Sequence, residues 1–130
     1  MRRVFVTGAA HGIGRAIVES FASNGDRVAF CDIDAKRGGE VAMATGARFF
    51  ELDVCDKRAL ESCVQRLLEE WGDLDIIVNN VGIGGFEPIT ATTIEHFEMV
   101  LNTNLRSAFI TSRLLAMHRD KMGATNPYGR

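Results

Sequence analysis

The sequence predicts an α/β fold with a doubly wound parallel sheet, and three observations support that prediction. Short runs rich in branched and aromatic residues are mostly continuous rather than alternating, as strands buried on both faces of a parallel sheet are. Segments of helical periodicity separate these runs, and the joints between them are short. Repeated strand–helix–strand units form parallel sheets with right-handed crossovers. The predicted strands are residues 4–7, 28–32, 48–53 and 75–79.

Three helices are predicted between these four strands. The first ends at Asn24-Gly25, since glycine is favoured just beyond a helix. The second, Ala35–Thr45, is weakened by Gly38-Gly39 in its interior. The third carries an apolar stripe, with Asp56 as its N-cap and Gly72 as its terminator.

A looser segment, residues 82–88, follows the fourth strand. Thr92-Thr93-Ile94-Glu95 then resembles a capping box that opens a new helix. A longer helix is expected from about residue 104 to residue 122, and Asn126-Pro127 is expected to lie in a loop beyond it. The apolar residues that this longer helix is expected to bury are Leu105, Phe109, Leu114 and Met117.

Composition narrows the class of protein. The 130 residues are 46% hydrophobic and 25% charged, as expected for one globular domain. A net charge of −2 with no basic run argues against nucleic-acid binding. No apolar stretch approaches the roughly 20 residues of a membrane helix, and the N-terminus runs directly into a strand without room for a signal peptide.

The cysteines and histidines predict neither disulfides nor a metal site. Three cysteines without a CxxC pair fit a reducing cytoplasm, and two of them are expected to serve as small core residues. The three histidines are scattered and form no HExxH motif. We therefore expect a cytoplasmic protein without a metal ion.

A glycine-rich segment, Thr7-Gly8-Ala9-Ala10-His11-Gly12-Ile13-Gly14, joins the first strand to the first helix. Glycines permit a tight turn and close approach to a ligand, and the helix that starts there offers free N–H groups and a positive dipole end to an anion. The pyrophosphate of a dinucleotide is the natural occupant. The spacing is GxxxGxG rather than GxGxxG, so a plain strand–helix turn remains an alternative.

Asp32, at the end of the second strand, lies 18 residues after Gly14. A carboxylate there can accept hydrogen bonds from both hydroxyls of an adenosine ribose. It would also repel a 2′-phosphate, and no Arg or Lys immediately follows it. These residues favour NAD over NADP, although Asp32 could instead be an ordinary exposed acid before a helix.

The ordered series of motifs resembles the short-chain dehydrogenase/reductase family, in its compact single-domain branch. The motifs are Thr7–Gly14, Asp32, Asp53-Val54, Asn79-Asn80-Val81-Gly82 and Asn104-Leu105. The resemblance covers essentially the whole chain, but only the N-terminal half of the family's usual domain. It implies a Rossmann-type sheet truncated after the fourth strand and the helices that follow, so that residues 1–130 form the N-terminal portion of an NAD(P)-binding domain without its C-terminal catalytic portion.

The same resemblance implies a site. The glycine-rich turn would wrap the pyrophosphate, Asp53 and Val54 would flank the adenine, and Asn80 would lie near the nicotinamide-side ribose. Val81 stands where the family more usually has alanine, and Asn104 matches the helix asparagine that helps hold a proton-relay water. The implied cofactor-binding residues are Thr7, Gly8, His11, Gly12, Ile13, Gly14, Asp32, Ile33, Asp53, Val54, Asn80, Val81 and Gly82, with Asn104 in catalysis.

Structural alternatives to these roles stay open at this point. Asp53 could be a strand-end cap, and Asn104 could be a surface or helix-end residue. The asparagine-rich turn, Asn79-Asn80-Val81-Gly82, could form without a ligand.

The reaction that the resemblance implies is hydride transfer between a nicotinamide and a carbonyl or secondary alcohol, with a Tyr-x-x-x-Lys pair as acid and base and a serine that orients the substrate. The only tyrosine is Tyr128, which has no residue four positions beyond it. We therefore expect an inactive, truncated form of a longer reductase. A non-catalytic NAD-binding or partner module is the alternative.

Self-association is also expected from the sequence. Without a further strand beside it, the fourth strand would be an exposed apolar edge, and the helix beyond residue 104 would lose packing. We expect a homo-oligomer that forms through that edge or that helix.

Overall fold

The computed structural model describes residues 1–123. Four parallel strands form one sheet: β1 (Arg3–Thr7), β2 (Arg27–Asp32), β3 (Arg48–Glu51) and β4 (Ile76–Val78). Their order is β3-β2-β1-β4, so β3 and β4 are the edges of the sheet. The predicted α/β fold with a parallel sheet is therefore confirmed, although β3 and β4 are shorter than the predicted strands.

Helices cover both faces of this sheet. They are α1 (Gly12–Ser23), α2 (Ala35–Thr45), α3 (Lys57–Trp71), α4 (Ile94–Leu101) and α5 (Ser107–Lys121), with a π-helical turn, Asn102–Arg106, between the last two. Alternate side chains of each central strand enter opposite cores. Phe5 lies in the core beneath α3 and α5, whereas Val4 and Val6 lie in the core beneath α1 and α2. Continuous apolar strands thus reflect burial on both faces.

Local capping signals place α2 and α3 as predicted. The Asp56 carboxylate accepts a hydrogen bond from Ala59 N–H at 3.1 Å, and Gly72 ends α3 in the left-handed conformation. α2 forms despite its glycines because Gly38 packs against β3, where a Cβ would lie 2.2 Å from the Phe49 ring. Gly38 therefore allows the helix to approach the sheet closely.

The prediction for the helix after residue 104 is wrong in its start and in its buried face. α4, the π-helical turn and α5 form one continuous helix over residues 94–121. Of the four residues predicted to be buried, Leu105, Phe109 and Met117 are exposed, and Leu114 alone packs against the core. The residues that face inward are Thr103, Ser107, Ile110 and Thr111.

The predicted capping box is also wrong in its details. Thr93, rather than Thr92, is the N-cap of α4, and its side chain accepts a hydrogen bond from His96 N–H at 3.1 Å. Asn126-Pro127 and Tyr128 lie outside the described residues.

An ion pair joins β1 to the residue that directly precedes β4. The Arg3 guanidinium donates to the Asp75 carboxylate at 2.9 Å, and this hydrogen bond lowers the pKa of Asp75 to about 2. It helps align β1 and β4, whose carboxyl ends carry the glycine-rich turn and the asparagine-rich turn.

Candidate functional site

The glycine-rich turn leaves β1 in backbone conformations that favour glycine. Gly8 and Gly12 have φ of +68° and +59°. A Cβ on Gly8 would lie 2.9 Å from Val81 Cα, whereas a Cβ on Gly12 would meet nothing within 4 Å. Gly8 therefore permits a close contact between the glycine-rich turn and the turn that contains Val81, whereas Gly12 faces open space.

The first turn of α1 differs from those of the other helices that begin after a loop. The side chains of Asp34, Asp56 and Thr93 cap α2, α3 and α4. His11, at the N-cap of α1, makes no such hydrogen bond, and His11 and Ile13 are both exposed. Backbone N–H groups without a side-chain cap at a helix N-terminus are suited to an anion.

Gly14 lies inside the protein. A Cβ at this position would lie 2.3 Å from Gly8 O and 2.5 Å from Asn80 Nδ2. The contact holds the start of α1 against the ends of β1 and β4. Gly14 therefore brings the helix close to the turn, while Gly12 and Ile13 form its exposed surface.

Asp32 is buried at the end of β2, with 8% of its surface exposed. Its carboxylate accepts hydrogen bonds from Ala10 N–H at 2.9 Å and from Asp34 N–H at 3.0 Å. The carboxylate is therefore fixed beside the glycine-rich turn rather than pointing away from it. Ile33, the next residue, is 72% exposed.

A cleft of about 240 Å³ opens at this edge of the sheet. It brings together six of the predicted site residues, namely Gly8, Asp32, Ile33, Asp53, Val54 and Val81. Cys31, Leu52, Cys55, Ile83, Met99 and Thr103 complete the wall and were not predicted. Thr7, His11, Gly12, Ile13, Gly14, Asn80, Gly82 and Asn104 do not line this cleft.

The unpredicted cleft residues come mainly from two sources. Cys31 directly precedes Asp32, and Leu52 directly precedes Asp53. The strand-end position that located these two acids could therefore also have located their neighbours. Met99 and Thr103 belong to the continuous helix over residues 94–121, and no local pattern indicates that it reaches the cleft. Burial raises the pKa of the Cys31 thiol, which therefore contributes an apolar surface rather than a nucleophile.

Asp53 and Val54 form the turn after β3. Asp53 is exposed, and one of its carboxylate oxygens accepts a hydrogen bond from Cys55 N–H at 2.9 Å. Val54 is buried in the core. The second carboxylate oxygen of Asp53 has no hydrogen-bond partner within residues 1–123.

The asparagine-rich turn after β4 is fastened to β1. The Asn80 amide nitrogen donates to Thr7 O at 3.0 Å and Gly8 O at 2.8 Å, and the buried Thr7 hydroxyl accepts from Asn80 N–H at 3.2 Å. Thr111 donates to the side-chain oxygen of Asn79 at 2.7 Å, a contact that the sequence did not predict. Asn80 thus sets the spacing between the two turns.

Asn104 lies in the π-helical turn and is exposed. Its side-chain nitrogen donates to Ile83 O at 2.7 Å, and its side-chain oxygen accepts from Ile83 N–H at 2.8 Å. The amide pair holds the chain just beyond Gly82. Asn104 is therefore a partnered residue and not a solvated helix end.

Comparison with known proteins decides the family. A family model described as short chain dehydrogenase matches residues 2–125. The chain belongs to the short-chain dehydrogenase family. The resemblance inferred from the motifs, and the Rossmann-type sheet that it implied, are both confirmed.

Relatives of this short-chain dehydrogenase chain include sugar-alcohol enzymes. Galactitol 2-dehydrogenase of Agrobacterium fabrum is 40% identical over 103 residues, which are 78% of this chain and 40% of that protein. Sorbitol dehydrogenase of Cereibacter sphaeroides is 33% identical over 117 residues, which are 88% of this chain and 46% of that protein. The chain therefore spans about half the length of the curated relatives it matches.

Solved structures agree on the fold. A short-chain dehydrogenase/reductase from Serratia marcescens has a TM-score of 0.83 at 34% identity, over 90% of this chain and 50% of that one. A 3-ketoacyl-(acyl-carrier-protein) reductase from Brucella melitensis, complexed with NADH, has a TM-score of 0.85 at 28% identity, over 94% of this chain and 52% of that one.

Within residues 1–123, no helix is both long and apolar enough to cross a membrane. No group of three His, Cys, Asp or Glu side chains in that range is arranged to hold a metal ion.

Proposed function

We propose that this chain binds NAD(H) and forms the cofactor-binding portion, residues 1–130, of an oxidoreductase that acts on a small carbonyl or secondary-alcohol substrate. The observation that carries the proposal is the position of Asp32, buried beside Ala10 N–H and lining the same cleft as Asp53 and Val54. An acid at this strand end is suited to the ribose hydroxyls of an adenosine.

The residues present fit a dinucleotide. The first turn of α1 lacks a side-chain cap, and the space beside Gly12 is open, which suits a pyrophosphate. The apolar wall of the cleft suits an adenine, and Asp53 has a carboxylate oxygen to offer its exocyclic amine. The turns that contain Thr7, Asn80 and Gly82 would border the cofactor where it extends toward the nicotinamide.

We prefer NAD to NADP for this site. A 2′-phosphate would face the Asp32 carboxylate, and the next two residues are Ile33 and Asp34, so no cation immediately follows to neutralise it. The NADH complex of the structurally similar Brucella melitensis reductase supports the same choice.

A bound nicotinamide supplies hydride transfer, and the protein supplies binding and orientation. Asn104 holds the backbone at Ile83 and is proposed to help place a proton-relay water. Residues 1–130 contain one tyrosine, Tyr128, and no Tyr-x-x-x-Lys pair. We therefore propose binding without turnover for this chain alone. The alternative is a non-catalytic NAD-binding or partner module.

The proposal makes a direct prediction for thermal unfolding. NADH at ten times its Kd should stabilise the folded chain by about 1.4 kcal/mol, which raises Tm by roughly 5 °C in a domain of this size. Differential scanning fluorimetry with NADH measures the shift, and GTP at the same concentration is the control for a nucleotide that lacks adenine. Equal shifts with both nucleotides, or none with NADH, would count against the proposal. Dehydrogenase turnover by the chain alone would contradict its predicted inactivity.

We also propose that two copies of the chain associate through the helix over residues 94–121. Five large apolar side chains recur there at spacings of three or four residues and are exposed: Ile94, Phe97, Leu101, Leu105 and Phe109. Glu95 and Glu98 lie near one end of this row, and Arg113 lies beyond the other. An antiparallel pairing would place the acidic end of one helix against the basic end of the other.

Light scattering tests this association. The wild-type chain should elute as a dimer at about 100 μM, because an exposed apolar row of this length is rarely left uncovered. Leu105→Glu should shift the mass toward the monomer by placing a charge within the row. Ser112→Glu, at an exposed position of the same helix, is the control. A wild-type monomer at this concentration would refute the interface.

The same chain is proposed to reside in the cytoplasm and to contact neither nucleic acid nor membrane. The support is its net charge of −2 without a basic run, together with free thiols at Cys31, Cys55 and Cys63.

A further inference from the structure

One π-helical turn, Asn102–Arg106, contacts both sides of the cleft. On one side, the Asn104 amide pairs with the backbone of Ile83. On the other, the Thr103 hydroxyl lies 3.0 Å from Cys55 Sγ, and Arg106 Nη2 donates to Cys55 O at 2.6 Å. This single turn therefore contacts both walls of the cleft.

Cys55 belongs to the turn after β3, which also contains Asp53 and Val54. Within it, Cys55 N–H donates to the Asp53 carboxylate, and Asp56 N–H donates to Asp53 O at 2.9 Å. These bonds shape the turn. Its start is fixed to β2 because Leu52 N–H donates to Asp32 O at 3.1 Å. Its far end, at Cys55, is held by Thr103 and Arg106, which lie 48 and 51 residues further along the chain.

Arg106 is poorly suited to a purely stabilising role. Its Nε is buried and has no hydrogen-bond partner within residues 1–123. A buried N–H without an acceptor costs free energy that the bond to Cys55 must offset. An apolar side chain of similar length would avoid that cost, but it could not hold the Cys55 carbonyl.

We propose that Arg106 is a positioning residue for the adenosine half of the dinucleotide. By holding Cys55 O at the far end of the turn, it keeps Asp53 and Val54 in the arrangement beside Asp32 that an adenosine requires. The inference rests on the proposed function, because it assigns Arg106 to the same cleft.

The test compares three variants of the full chain. Arg106→Met removes the donor, the charge and the buried Nε while keeping an unbranched apolar side chain out to about the position of Nε. Arg106→Lys keeps a terminal donor for Cys55 O but has no Nε–H. Arg113→Met removes an exposed arginine from the same continuous helix and serves as the control. Each is measured for its Tm without ligand, its Kd for ADP-ribose and the amide hydrogen exchange of residues 53–56.

We expect Arg106→Met to weaken ADP-ribose binding about five- to thirtyfold, with faster exchange at residues 53–56 and a Tm equal to or above that of the wild type. Arg106→Lys should recover most of the affinity, and Arg113→Met should behave as the wild type.

Unchanged affinity in Arg106→Met would overturn the inference while leaving the proposed function intact. A lowered Tm that Arg106→Lys does not rescue would also overturn it, in favour of a structural role. A wild-type chain that fails to bind ADP-ribose would overturn the proposed function, and this role of Arg106 with it.

Discussion

Gly14→Ala is expected to abolish NADH binding and to lower the free energy of unfolding by about 2–3 kcal/mol. The new Cβ would lie 2.3 Å from Gly8 O and 2.5 Å from Asn80 Nδ2. One of these is a backbone atom of the glycine-rich turn, so α1 must move away from β1. That movement displaces the first turn of α1, where the pyrophosphate is proposed to bind. Urea unfolding and calorimetric titration with NADH measure the two effects.

Gly84→Ala is the matched control for this substitution. Gly84 lies in the exposed segment after β4, and a Cβ there would meet nothing within 4 Å. Its free energy of unfolding should stay within about 0.5 kcal/mol of the wild type. A Gly14→Ala chain with wild-type stability would show that the helix is not packed against the turn as described.

Asp32→Ala is expected to weaken NADH binding by about a hundredfold or more, because two hydrogen bonds to a charged group together contribute about 3–6 kcal/mol. The carboxylate is proposed to accept from the ribose hydroxyls, and it also fixes the turn through Ala10 N–H and Asp34 N–H. Removal leaves the buried Ala10 N–H without its acceptor, so stability should fall as well. Affinity is measured by calorimetry and stability by urea unfolding.

Asp34→Ala is the control for Asp32→Ala, because it should lower stability without changing NADH affinity. Asp34 caps α2 by accepting from Arg37 N–H at 3.0 Å, so its loss should cost about 1 kcal/mol of stability while NADH affinity stays unchanged.

The wild type should also bind NADH more tightly than NADPH, and Asp32→Ala should reduce that difference by removing the carboxylate that faces the 2′-phosphate. Equal affinity for both cofactors in the wild type would refute the assignment of Asp32.

Features decided by neighbouring residues were predictable from the sequence. Asp56 and Gly72 bound α3 because an N-cap and a left-handed terminator depend on local backbone conformation. The four strands were recognisable because burial on both faces leaves continuous apolar runs. Asp32 was located in the same way, by its place at a strand end.

Features decided by distant contacts were not predictable. Gly38 looked like a weak point in α2 until its contact with the Phe49 ring gave it a packing role. The π-helical turn changes which side chains face the sheet, so small polar residues such as Ser107 and Thr111 are buried instead of Leu105. Both results depend on partners far away in the sequence.

The most direct test of the proposed cofactor site is NMR chemical-shift mapping of the amides during titration with NADH. We expect the largest changes at Gly12 and Ile13 in the uncapped turn, at Asp32, and at Val54 in the adenine-side turn. Changes confined to the opposite ends of the strands, around Arg27 and Arg48, would contradict the account, and so would a spectrum that NADH leaves unchanged.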